Sequence, residues 1–185
     1  RLPLPARIAG RILRLVGGGA KGRPGQRLAR ALEKLGPAYI KLGQFLATRP
    51  DVFGAEVTED LGRLKDKLPP FSMKAARAAL AEEFGAADAE HLFGDLSDPV
   101  AAASLAQVHK MELAGGTRAV KILRPGIERQ LTVELSAMKR AARTIEGISA
   151  ESQRLKPVAF TETIAAAMMR ETDLRLEAGG ADEMH

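Results

Sequence analysis

Three groups of residues in this chain have the types and spacing to handle an anion. The first is Lys121, inside Arg118-Ala119-Val120-Lys121-Ile122. Strand alternation puts Ala119, Lys121 and Leu123 on one face, with Val120 and Ile122 on the other. A lysine on the Ala/Leu face is expected to be partly enclosed, and an enclosed ammonium needs an anionic partner; the alternative is a strand that ends in an exposed lysine. The second group is Lys41 and Gln44, one turn apart in Leu35-Gly36-Pro37-Ala38-Tyr39-Ile40-Lys41-Leu42-Gly43-Gln44. Gly43 lies between them, and a glycine within a helix costs about 1 kcal/mol relative to alanine, so it requires a reason. The plain alternative is a polar face formed by Lys41, Gln44 and Thr48, opposite Tyr39, Leu42 and Leu46. The third group is acidic. Glu171 shares a face with Ile164 and Met168 and is expected to point inward, while Asp173 and Glu177 stack one turn apart on another face. Two acidic groups on one helix could serve two lysines, Lys41 and Lys121. The competing reading is a surface ladder such as Glu171 with Arg175, worth a few tenths of a kcal/mol.

A lysine in a Val-Ala-Ile-Lys strand is the residue by which protein kinases grip nucleotide phosphates, paired with a helix glutamate. The segment Pro99 to His109 sits where the kinase glycine-rich loop would lie, between the first two strands. Here Ala101, Ala102, Ala103 and Ser104 replace the glycines. Alanine keeps such a loop thin but restricts positive φ, so the loop should be stiffer and hold phosphates differently. An alanine-rich helix start is the other reading of the same residues.

The elements that must position these groups follow from periodicity. A helix is expected from Arg27 to Lys34, a turn at Gly36-Pro37, and a second helix through Lys41 and Gln44 that stops at Pro50. Val57, Leu61, Leu64 and Leu68 predict a helix over Ala55 to Leu68. Ser72 is the expected N-cap of a helix ending at Phe84, closed by Gly85. Two strands, Leu105–Leu113 and Thr117–Leu123, are joined by Ala114-Gly115-Gly116 as a hairpin. A long helix then carries Ile127, Leu131, Leu135, Met138, Ala142 and Ile145 at helical spacing, and a last helix runs from about Pro157 through Glu177. The order of helices, a small antiparallel sheet, then helices makes the fold α+β.

Composition narrows the function. The 185 residues suffice for a main domain with an appendage. With no cysteine, disulfides, thiolate catalysis and cysteine-ligated metals are excluded, and three scattered histidines (His91, His109, His185) make a histidine-rich metal site an unpromising reading. The net charge is +5, and residues 1–32 hold eight Lys or Arg and no acid. Such an arm suits an anionic partner, and Ile8, Ile12, Leu13, Leu15 and Val16 between arginines fit a basic amphipathic segment at a lipid surface; a frayed terminus is the alternative. Few aromatic residues and no tryptophan argue against nucleic acid as the partner. No apolar run approaches the roughly 20 residues that span a bilayer. The expected organisation is a basic arm over 1–25, a helical extension over 26–86, and a lobe with the alanine loop, lysine strand and acidic helix over 87–185.

Taken together, the ordered motifs resemble the UbiB family of atypical, protein-kinase-like proteins of ubiquinone biosynthesis, most like a bacterial, alphaproteobacterial member. The matching residues are Lys41-Leu42-Gly43-Gln44 with Thr48-Arg49-Pro50-Asp51, Ala101 to Ser104 leading into Ala106-Gln107-Val108-His109, Ala119-Val120-Lys121 with Arg124-Pro125-Gly126-Ile127, and Glu171-x-Asp173 with Glu177. The resemblance implies a kinase-like N-lobe preceded by a helical extension. It implies that Lys121 with Ala101, Ala102, Ala103 and Ser104 binds the nucleotide, and that Glu177 is the partner of Lys121. Lys41 and Gln44 would belong to an inhibitory extension laid over the cleft, held down by Glu171 and Asp173. ATP with Mg²⁺ would be the cofactors, and a membrane surface, isoprenoid quinone precursors and quinone-biosynthesis enzymes the partners. The setting would be the cytoplasmic face of the bacterial inner membrane. A second implied reading is a non-catalytic, nucleotide-binding scaffold for such a complex. Gly179-Gly180 departs from the family's alanines after Glu177, so a looser helix end is expected there. The chain is expected to be part of a longer protein, inactive by itself, because it stops before the family's catalytic-loop and metal-binding aspartates.

Overall fold

The computed structural model of the chain describes residues 22–64 and 69–175. Expectations for the basic arm and for Glu177, Gly179 and Gly180 lie outside the described residues. The chain divides into two compact units, Arg1–Asp66 with Leu131–Met168, and Lys67–Gln130 with Met169–His185.

The first unit is helical. It contains α1 (Pro24–Leu35), α2 (Pro37–Ala47), α3 (Pro50–Phe53) and α4 (Ala55–Leu61), each of the first three opened by a proline whose fixed φ suits the first turn. Gly36 separates α1 from α2 at φ 118°, a left-handed conformation that a β-carbon would oppose. Leu32, Leu61 and Leu64 form the core here, with Leu28, Tyr39, Leu42, Leu46 and Val57 packed on it. Gly43 has its reason in this core. A β-carbon there would overlap Cδ1 of Leu64 and come within 2.8 Å of Cδ1 of Leu32. The missing side chain lets α2 approach its own helical partners. At the entrance to α1, the buried Asp60 carboxylate accepts a hydrogen bond from the Arg23 guanidinium.

The long helix α7 (Ile127–Glu146) places Leu131, Glu134, Met138 and Ala142 on one buried row in this unit. It is followed by α8 (Ala150–Arg154), whose N-cap Ser149 accepts from the Ser152 N–H at 3.2 Å, and by α9 (Pro157–Thr172). Phe160 meets Phe45 edge to face at 6.5 Å. The last helix is continuous to Thr172 and is interrupted at Asp173, with Leu174 and Arg175 helical again; the expected end at Glu177 lies outside the described residues. Its buried row is Thr161, Ile164, Met168 and Thr172, and Glu171 is exposed rather than inward-pointing. The helix turns through roughly 100° per residue, so a row at i, i+4 continues from Met168 to Thr172 and leaves Glu171 to the side.

The second unit carries the sheet. Ser72 caps α5 (Met73–Phe84) by accepting the Ala75 N–H at 3.2 Å, and Gly85 at φ 85° leads into α6 (Ala86–Phe93), a helix not anticipated from periodicity. The strands β1 (Ala101–Ala102), β2 (Ala106–Leu113) and β3 (Gly116–Leu123) form an antiparallel sheet in that order. Leu113 pairs with Gly116, so Ala114-Gly115 is a two-residue turn and Gly116 takes φ 103°. Ala76, Leu80, Ala89, Leu96 and Ile122 form the core, with Val120 and Phe71 against it. The apolar face of α5 is buried against β3, so α5 packs with the sheet.

Replacing Gly43 with leucine is expected to lower the stability of the helical unit by about 2–3 kcal/mol through overpacking, read as a lower thermal midpoint. An unchanged midpoint would show that Leu32 and Leu64 yield freely.

Candidate functional site

The pairing register builds the site. Ala101 is the partner of Val108, and Val108 is the partner of Lys121. Directly paired residues project to the same side of a sheet, so these three share one face, with Lys121 about 10 Å from Ala101 at the usual spacing of two strands. Lys121 and Ala101 are exposed and Val108 is half-buried. The opposite face carries Gln107 and Ile122, which are paired, and His109 with its partner Val120. The alternation expected for β3 is present, but the enclosure expected for Lys121 is not. The core is built on the Val120/Ile122 side, which leaves the lysine face open.

The alanine segment is also sharper than expected. Ala101 and Ala102 are a strand, neither a loop nor a helix start, and only Ala103, Ser104 and Leu105 turn between β1 and β2. The turn is closed by the Ala103 N–H donating to the Ala106 carbonyl at 2.8 Å. Ser104 and Leu105 are buried. Lys156 is the one non-glycine residue with positive φ among the described residues, so no alanine of the segment adopts the left-handed backbone open to glycine.

Two residues hold this end of the sheet. The Arg124 guanidinium donates to the Ala103 carbonyl through Nε (3.1 Å) and Nη2 (2.9 Å), and Nη2 also donates to the Pro69 carbonyl at 2.7 Å. Its carbon lies 5.5 Å from the centre of the Phe71 ring. Burial pulls the Arg124 pKa below its ordinary value, and the two carbonyls and the ring supply the acceptors that keep a half-buried cation satisfied. Gln107 accepts the Phe71 N–H at 2.9 Å and donates to His109 Nε2, while His109 Nδ1 reaches the Ser97 carbonyl at 2.7 Å. A carbonyl only accepts, so Nδ1 carries the proton and Nε2 receives from Gln107. The buried histidine is thus part of a hydrogen-bonded chain.

In the helical unit, Lys41 and Gln44 are half-buried, one turn apart on α2. The N-terminus of α2 is held by Glu134, whose Oε2 accepts the Ala38 N–H at 2.8 Å inside the protein. A β-carbon on Gly36 would lie 2.7 Å from the Glu134 carboxyl carbon. Glu171 and Asp173 belong to the other unit. There Asp173 has left the helix, and its Oδ1 accepts from the Arg175 N–H and Nε, both at 3.2 Å. Its expected stacking with Glu177 lies outside the described residues. A cavity of about 400 Å³ lies in the helical unit against Arg143, Glu146, Gly147 and Gln153, and none of the candidate site residues lines it.

Sequence reasoning missed Arg124, Gln107 and Glu134 as organising residues. Arg124 and Gln107 stood in the matching motifs without a role, and Glu134 left the signal of a carboxylate on the apolar row of Ile127, Leu131 and Met138.

A three-stranded antiparallel sheet with an open-face lysine beside a small-residue turn, packed on helices, defines the small lobe of a kinase-like fold. Residues 63–185 match the ABC1 atypical kinase-like domain. Over 158 residues the chain is 40% identical to a probable protein kinase UbiB of Shewanella frigidimarina, covering 84% of this chain and 29% of the relative. It is also 40% identical over 162 residues to the probable protein kinase UbiB of Marinobacter nauticus, covering 86% of this chain and 29% of that protein. The chain belongs to the ABC1 atypical kinase-like family, and it spans less than a third of the length of these curated relatives.

Tyr39, the chain's single tyrosine, reports on the α2 anchor. Burial raises its phenol pKa most, the Glu134 charge raises it further, and Arg140 opposes them. The fold favours the neutral phenol, so this contribution to stability is intact below the unfolded pKa of about 10 and is lost as pH rises through the higher folded value. Absorbance titration is expected to give a phenol pKa above that of free tyrosine, moving down in Glu134→Gln. A free-tyrosine value in the unaltered chain would show that the carboxylate and phenol are not neighbours.

Proposed function

We propose that this chain supplies the nucleotide-binding lobe and helical extension of a UbiB-like atypical kinase or ATPase that supports ubiquinone biosynthesis. The observation that carries the reading is the alignment of Lys121, Val108 and Ala101 on one open sheet face, with the alanine turn at its rim. A nucleotide has a triphosphate for the ammonium and a flat base for small apolar neighbours, and this face offers both. The alanine segment meets the phosphates with ordinary negative-φ backbone, so its contacts come from a preset turn rather than from a glycine loop that closes on the ligand.

ATP fits the residues present. Among the described residues no group of three or more His, Asp or Glu could hold its metal ion. Glu177 as the partner of Lys121, and Lys41 and Gln44 as a regulatory element held by Glu171 and Asp173, are part of the same proposal. The protein would act at the cytoplasmic face of the inner membrane, the basic arm drawn to anionic lipid, beside quinone-biosynthesis enzymes and isoprenoid precursors. Among the described residues no helix is long and apolar enough to cross a membrane.

Lys121→Met in the full-length protein is expected to weaken ATP binding at least about tenfold, as loss of one charge-assisted phosphate contact does. It should also abolish quinone production in cells that depend on this gene. Quinone production that survives with ATP binding lost would favour a non-catalytic scaffold. ATP binding that survives would overturn the assignment of Lys121.

A further inference from the structure

Arg124 is tied to the alanine turn more closely than its place at the end of β3 requires. Its backbone N–H donates to the Leu105 carbonyl at 2.8 Å, and its guanidinium holds the Ala103 carbonyl with two nitrogens. One residue thus grips the turn on both sides of Ser104. A trans peptide fixes its C=O and N–H in opposite directions, so holding the Ala103 carbonyl also sets where the Ser104 N–H points. The same Nη2 holds the Pro69 carbonyl, and the guanidinium lies over Phe71, whose own N–H and carbonyl are bonded to Gln107 of β2. The turn and the Pro69–Phe71 segment are therefore clamped through a single side chain.

We infer that Arg124 is a positioning residue for the nucleotide: it does not touch the ligand but fixes the alanine turn in the orientation that the ligand meets. Alanine backbone lacks the freedom of glycine to settle around a phosphate, so the turn must already be in place when the nucleotide arrives. A forked, planar donor suits this task because two nitrogens on one carbonyl resist rotation of the peptide, as a single ammonium cannot. The inference rests on the nucleotide reading given above.

The test uses the full-length protein, with ATP dissociation constants and thermal midpoints measured side by side. Arg124→Met is expected to weaken ATP binding about tenfold, and Arg124→Lys, which keeps the charge but not the fork, to weaken it to a similar extent. Ser149→Ala, which removes a helix cap in the other unit, should lower the midpoint and leave ATP affinity unchanged. If Arg124→Met does not fold, Arg124→Lys carries the test. A lowered midpoint with unchanged ATP affinity in both variants would make Arg124 structural only and overturn the inference. Full affinity in Arg124→Lys would overturn it too, since charge alone would then suffice. Lys121→Met separates the two levels. If it leaves ATP binding intact the nucleotide reading falls, whereas its loss beside unaltered Arg124 variants sinks only the present inference.

Discussion

The register between β2 and β3 is the constraint on which the site depends. A slip of one residue in an antiparallel pair turns every side chain to the other face. Lys121 would then enter the core of Ala76, Leu80 and Leu96, and Ile122 would face solvent. Two features fix the register. The Ala114-Gly115 turn admits only two residues between paired Leu113 and Gly116, with Gly116 at a φ that other residues resist. On the inner face, Gln107 and His109 are fully buried and hydrogen-bonded to Phe71 and Ser97. Moving either polar group away from its partners would leave it unsatisfied in a low-dielectric interior, at a cost of about 1–3 kcal/mol each. Buried polar side chains thus specify where an exposed lysine stands.

The alternation of Ala119-Val120-Lys121-Ile122 made the two faces of β3 readable, and the Gly-Gly turn made the hairpin readable, because both are local properties of the backbone. What could not be read is which face the rest of the chain would cover. Lys121 was expected to be enclosed on the strength of its apolar neighbours, yet α5 packs on Val120 and Ile122. Arg124 shows a second limit. Its acceptors are backbone carbonyls at Ala103 and Pro69, 21 and 55 residues away, and every residue owns a carbonyl. Side-chain pattern carries no trace of such a contact. Glu134 was legible in principle, since a carboxylate on an apolar helical row must find a donor. Its donor is the Ala38 N–H, exposed by the first turn of α2.

The Lys41-Leu42-Gly43-Gln44 motif combines two constraints that one short sequence hides. Gly43 answers to packing, since only hydrogen fits between Leu32 and Leu64. Lys41 and Gln44 are half-buried on the same helix, and the proposed function makes them its regulatory pair. Gly36 belongs with Gly43, because its missing side chain leaves room for Glu134 to reach the helix start. Two glycines thereby set the height and the approach of α2, and the polar pair is placed as a consequence. A negative charge at a helix N-terminus also complements the helix dipole, which favours a buried carboxylate that would otherwise be costly.

The replacement of glycines by alanines in the turn has a thermodynamic meaning. A glycine-rich loop samples many conformations and gives up that freedom when it closes on a phosphate. Here Ala101 and Ala102 are already paired in β1, the Ala103–Ala106 hydrogen bond has closed the turn, and Arg124 holds the peptide between them. Little ordering remains for a ligand to induce, so under the proposed nucleotide reading the contribution of this segment to binding would be set by its geometry before contact. A preset turn also tolerates less variation in what it receives, because it cannot adjust to a ligand of different shape. Under the proposed nucleotide reading, specificity at this edge of the sheet would reside in the clamp as much as in the alanines, with the identity of residue 124 bearing on the ligand through the direction of one peptide plane.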